Sequence, residues 1–109
     1  MKKSIVIVSL FLLTACSAKL VTPTQTDADR VAQRMPGTTL ADLQEGKTLF
    51  EAKCTQCHGI KKPASKTESE WQHIVPIMAK RAEKANKDLI DGHAQEQIMK
   101  YLTAYAKQG

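Results

Sequence analysis

Apolar residues recur at helical spacing in three stretches of this 109-residue chain. In the first, Leu43, Gly46, Leu49 and Phe50 fall on one side of a helix predicted from Leu40 to about Lys53. Thr39 stands where an N-cap belongs and Asp42 follows three residues on, close to a capping box. The second stretch opens on Thr67-Glu68-Ser69-Glu70, a capping box with Thr67 as N-cap. Behind it Trp71, Ile74, Val75 and Met78 occupy i, i+3, i+4 and i+7 and form a single apolar face. Pro76 lies inside this segment, removes an intrahelical bond and should kink or loosen it. The third helix is predicted from about His93 to Lys107, entered through Asp91-Gly92. Its stripe is Ile98, Met99, Leu102 and Tyr105, with Tyr101 beside it. No internal repeat and no strand alternation accompanies these helices, so the predicted class is all-α.

The N-terminus follows a different pattern. Met1-Lys2-Lys3 is basic, and the apolar run from Ser4 to Leu13 is far shorter than the roughly 20 residues that span a bilayer. It reads as the hydrophobic part of a signal peptide. Leu13-Thr14-Ala15-Cys16 resembles the lipobox of bacterial lipoproteins, which implies cleavage before Cys16 and acylation of that residue. The alternative is an ordinary secretory signal cut near Ala15 or Ala18. Several acyl chains would hold a protein stably, whereas one gives marginal binding. Ser17 implies, by the same resemblance, that sorting to an outer membrane is permitted.

These features divide the chain into a lipoprotein signal peptide over 1–15, a lipid-anchored flexible linker over 16–37 and a helical domain over 38–108. The linker assignment rests on the polar run Thr22 to Asp29, which has no apolar periodicity. Residues 29–35 have room for one helical turn, which Pro36-Gly37 would end. A domain this short rarely supplies enough core of its own and usually needs a staple.

Charge narrows the partners less than the formal value of +5 suggests. Lys2 and Lys3 leave with the signal, which brings the mature chain to +3. With few aromatic residues as well, nucleic-acid binding is not supported.

The chemistry is concentrated in Cys54-Thr55-Gln56-Cys57-His58. This C-x-x-C-H spacing lets two thiols bond to the vinyl groups of one haem while the adjacent imidazole takes the iron. A zinc site would need a second ligand pair, and no further cysteine serves it. A thioredoxin-like pair would need a βαβ pattern, which is not visible. With Cys16 taking lipid and Cys54 and Cys57 taking haem, no thiol is left for a disulfide, although the compartment is oxidising. Two haem propionates would lower the net charge to about +1. Covalent haem, large and mostly apolar, is also the staple that so short a domain requires.

From Gly46 to His58 the chain resembles the entry to a class I c-type cytochrome. The resemblance implies a small all-α fold of three main helices around one covalently attached haem c. In that family a glycine and an aromatic residue, placed as Gly46 and Phe50 are, let the first helix cross the last one closely. Leu102 and Tyr105 stand where the last helix supplies an aliphatic and an aromatic partner. The function implied is single-electron transfer, with no enzyme activity of its own, between redox proteins at the periplasmic side of a bacterial membrane.

The far side of the iron is open to several residues. Met78 is the leading candidate, because it shares an apolar face with Trp71, Ile74 and Val75, whereas His73 points away from that face. Met99 belongs to the packing stripe of the last helix, and His93 stands at its start. A family Met ligand usually comes later and before a proline; Ala79 follows Met78 here. His58 with Met78 would give a closed, six-coordinate iron at raised potential, suited to electron transfer. An open position would instead suit a small-ligand sensor or peroxidase, and the domain would also serve as the haem subunit of a larger membrane oxidoreductase. Trp71 has two readings, a hydrogen bond to a propionate or plain core. Lys61, Lys62 and Lys66, with Lys80, Arg81, Lys84 and Lys87, either steer an acidic redox partner or form a solvated face with Glu83 and Asp88.

Overall fold

A computed structural model describes residues 20–54, 62–85 and 89–108. The haem-motif residues Cys57 and His58, the lipidation candidate Cys16 and the basic residues Lys61 and Lys87 lie outside the described residues. Four α-helices are present: α1 (Gln25–Ala32), α2 (Leu40–Leu49), α3 (Glu68–Lys84) and α4 (Gly92–Tyr105). No strand occurs among the described residues; one isolated parallel bridge joins Thr67 to Lys107. The fold is all-α, as the periodicity predicts.

Local signals account for the helix starts. Thr39 and Thr67 each accept a hydrogen bond from the N3 backbone N–H, and Asp42 and Glu70 each accept one from the cap backbone N–H. Both are complete capping boxes, and each satisfies two otherwise orphaned donors. Asp91 caps α4 through the N–H of Ala94 at 2.9 Å. The last helix ends two residues short of the predicted Lys107, with Ala106 in extended backbone. Helix α3 runs unbroken past Pro76, which is exposed, so the carbonyl left without its helical donor faces water.

The predicted first helix is interrupted. Regular α-helix stops at Leu49, and Phe50–Cys54 forms a π-helical turn. Such wide i→i+5 turns change the phase of the residues that follow and are frequent at functional sites.

Helices α2 and α4 cross at Gly46. A Cβ built there would stand 2.2 Å from the Gln97 carbonyl oxygen and 2.9 Å from Tyr101 Cβ. The crossing predicted from the glycine is therefore real and is made against backbone. The aromatic partner differs from expectation. Tyr101 is fully buried with its ring 6.2 Å from Phe50, while Tyr105 is only partly buried and turns toward α1. Ile98 and Leu102 complete the buried face of α4.

Polar residues lock the same crossing. Gln97 Nε2 donates to Asp42 Oδ1 and Glu45 Oε1, both at 2.9 Å, and Lys100 Nζ lies 3.5 Å from Asp42. The Gln97 bond, together with the cap and the lysine, lowers the Asp42 pKa from 3.8 to about 2. A carboxyl with a depressed folded pKa stabilises the fold above its unfolded value, and that contribution is lost as pH falls from about 4 toward 2. Asp42→Asn should therefore cost on the order of 1–2 kcal/mol at pH 7 and nothing at the acid end, read from denaturant unfolding at the two pH values.

The stretch expected to be a flexible linker is folded from Leu20 onward. Thr24 caps α1 with a full capping box, and Leu20, Ala28 and Val31 are buried. Tyr101 donates its hydroxyl to the Val21 carbonyl at 2.8 Å, Tyr105 donates to Asp27 at 2.5 Å, and Arg30 donates to the Ala104 carbonyl at 2.7 Å. Arg34 pairs with Glu68 at the start of α3. Gly37, at φ +88°, then turns the chain back into α2, a backbone geometry that favours glycine.

Candidate haem site

An apolar cavity of about 210 Å³ opens between the π-turn and α3. Phe50 and Cys54 of the π-turn, Trp71, Ile74, Val75 and Met78 of α3, and Ile90 and Lys66 line it. The whole apolar face predicted for α3 thus lines the cavity, together with Cys54 from the π-turn.

Three interactions hold these walls in place. Phe50 and Trp71 meet edge to face at 5.9 Å. Trp71 donates its indole N–H to the Pro63 carbonyl at 2.8 Å. Its donor pins the 3-10 turn Pro63–Ser65, while its ring lines the cavity. The third is the bond from the Lys107 N–H to the Lys66 carbonyl at 2.9 Å, which ties the loop bearing Lys66 to the C-terminal end.

The cavity fits a large apolar group. Its lining suits a porphyrin: one thiol, one thioether, the Trp71 indole, Lys66 and otherwise hydrocarbon. Lys66 is the one charged group among the described wall residues, placed to meet acidic substituents at an edge.

Burial raises the Cys54 pKa to about 11, against a smaller opposing influence from Lys53. Cysteines that act as nucleophiles or redox centres have depressed pKa values in electropositive surroundings.

The alternative iron ligands lie elsewhere. His73 is exposed, as its helical phase predicts. His93 is also exposed, and its ring is 2.9 Å from Glu45 Oε2, a bond that raises the histidine pKa. Met99 packs against the core without reaching the cavity. Met78 alone of the four lines it. Ile90 and the π-turn have no mark in the sequence; Ile90 is a single apolar residue just ahead of the Asp91 cap, and only its neighbourhood in space distinguishes it.

Among the described residues no group of three or more acidic, cysteine or histidine side chains forms a separate metal site. No helix among them is long and apolar enough to cross a membrane. A family model for cytochrome c matches residues 43–108, from the first core residue of α2 to the end of the described chain. No curated protein and no solved structure gives a match to the chain. The matched span contains the glycine crossing, the cavity and the C-x-x-C-H motif, and the chain belongs to the cytochrome c family of haem-based electron carriers.

Proposed function

We propose that this protein is a lipid-anchored monohaem cytochrome c that passes single electrons between redox partners at the periplasmic face of a bacterial membrane. The observation that carries the reading is the apolar cavity that Cys54 and Met78 both line. Cys54 and Cys57 hold one haem c by thioether bonds, His58 and Met78 ligate its iron, and Cys16 carries the lipid.

When bound, the haem supplies a one-electron iron couple whose potential the axial ligands and surroundings set. The chain's own residues bind, orient and shield. Phe50, Trp71, Ile74 and Val75 exclude water from the centre, which favours the less charged reduced state. Met78 supplies a thioether that raises the potential further. The Trp71–Pro63 bond holds one wall rigid, so little rearrangement accompanies a change of oxidation state.

Denaturing electrophoresis of the exported protein tests the cofactor assignment. Haem should stay with the polypeptide in wild type and be lost by extraction from Cys57→Ser together with Cys54→Ser. Retention of covalent haem in the double variant would refute the attachment sites. Carbon monoxide should leave the spectrum of the reduced wild-type protein unchanged; ready binding would favour the open-site sensor or peroxidase.

Exposed basic residues suit an acidic redox partner: Lys62, beside the half-buried Lys66, and Lys80, Arg81 and Lys84 in the second half of α3. Charge steering weakens as the screening length shortens to about 3 Å at 1 M salt. Electron transfer to such a partner should slow by at least about tenfold between low salt and 0.5 M. A salt-independent rate would leave these lysines as a solvated surface.

A further inference from the structure

The segment Leu20–Met35 has a consequence for how the domain meets the membrane. Its docking is distributed along its length. Leu20 is 7% exposed and Val21 is held by the Tyr101 hydroxyl. Ala28 and Val31 are 0% and 2% exposed. Asp27 and Arg30 bind the C-terminal turn of α4, where the Arg30 guanidinium also lies 6.0 Å from the Tyr105 ring centre. Arg34 reaches α3 at Glu68. Burial, hydrogen bonds and an ion pair thus fasten the segment to two helices of the haem domain.

The chain length between Cys16 and the docked segment is therefore short. Three residues, Ser17, Ala18 and Lys19, separate Cys16 from the docked Leu20. Four steps of extended chain reach at most about 14 Å. A free tether over 16–37 would instead reach roughly 75 Å at full extension and sample a root-mean-square span of about 26 Å.

We propose that docking of Leu20–Met35 holds the haem domain against the membrane that carries Cys16, with the surface around Leu20 and Val21 facing the lipid headgroups. The inference rests on the lipidation of Cys16 proposed above. Val21 fits that role: it is 46% exposed at the point where the chain leaves the domain, although its carbonyl is fixed from inside by Tyr101. A domain so held cannot swing out over tens of ångströms, so its partner must come to the membrane surface.

The test uses the full-length, haem-loaded protein in vesicles containing a phospholipid with a fluorescent headgroup, which haem quenches at short range. Mass spectrometry of the same sample reads the acyl groups on Cys16. A Gly/Ser insert of about twenty residues between Ala18 and Lys19 leaves the folded part untouched. It should reduce quenching at least about twofold, because a leash of a few residues becomes a long coil. Val31→Asp, which undocks α1, should reduce quenching similarly while the haem spectrum is kept. Acylated protein whose quenching is unchanged by the insert would overturn the proposal and leave the lipid anchor standing. Protein without acyl groups would overturn the anchor and the proposal together.

Discussion

Gly46→Ala should destabilise the haem-loaded domain by about 3 kcal/mol or more, and Gly46→Val should prevent folding. Two effects oppose each other at this position. Alanine is worth about 1 kcal/mol over glycine as a helix former, which alone would stabilise α2. The added Cβ, however, would stand 2.2 Å from the Gln97 carbonyl oxygen and 2.9 Å from its carbon. Those are backbone atoms of α4, which no rotamer change can move aside. Separating the helices enough to admit a methyl group would loosen the packing of Phe50 against Tyr101 and stretch the Gln97 bonds to Asp42 and Glu45. The clash therefore wins. Gly92→Ala is the matched control: it also lies in a helix, but its Cβ would meet nothing within 4 Å, and it should be neutral or slightly stabilising. Denaturant midpoints of the three proteins, followed through the haem absorption, give the comparison. Equal midpoints for wild type and Gly46→Ala would mean that α2 and α4 do not cross as described.

The same crossing illustrates what was legible in the sequence. Helix starts carry their own chemistry: Thr39, Thr67 and Asp91 cap where their spacing says they should, because capping is local. Gly46 and Phe50 were legible through the family resemblance, and a glycine inside an amphipathic helix calls for a physical reason in any case. The face of α3 was legible because four apolar residues repeat at helical spacing, and all four line the cavity. Less accessible was the choice between Tyr101 and Tyr105. Both lie near the apolar stripe, and the one that joins the core is decided by α1, whose Asp27 draws the Tyr105 hydroxyl outward.

The docking of α1 was hidden for a related reason. Its buried side consists only of Ala28 and Val31, too thin a stripe to stand out among polar neighbours. The contacts that fasten it are made by polar residues, Asp27 and Arg30, to partners more than seventy residues away. Polar side chains with long-range partners look the same in sequence as polar side chains in solvent. The π-turn has no compositional mark either; Phe50–Cys54 reads as one more turn of helix until its backbone is seen.

Met78→Ala should leave the fold intact and change the iron's electronic signature. The oxidised wild-type protein should show the weak far-red charge-transfer band of methionine sulfur on ferric iron, and the variant should lack it. Loss of the thioether should lower the reduction potential by on the order of 0.2–0.3 V, well inside the roughly 0.8 V over which axial ligands tune haem. The reduced variant should also bind carbon monoxide that the wild type excludes. Geometry favours this residue over the rest: Met78 lines the same cavity as Cys54, whereas His93 is engaged by Glu45 and His73 is exposed. Because Met78 is only half-buried, truncating it removes few core contacts, and a fall in stability is not needed to explain a changed spectrum. Met99→Leu serves as the control, since it keeps the packing of α4 and removes the methionine sulfur packed against the core. Should the band persist in Met78→Ala and vanish in Met99→Leu, α4 supplies the ligand and the apolar face of α3 serves only as a wall. The opposite result fixes the iron between the π-turn and α3, the two elements whose side chains together line the cavity.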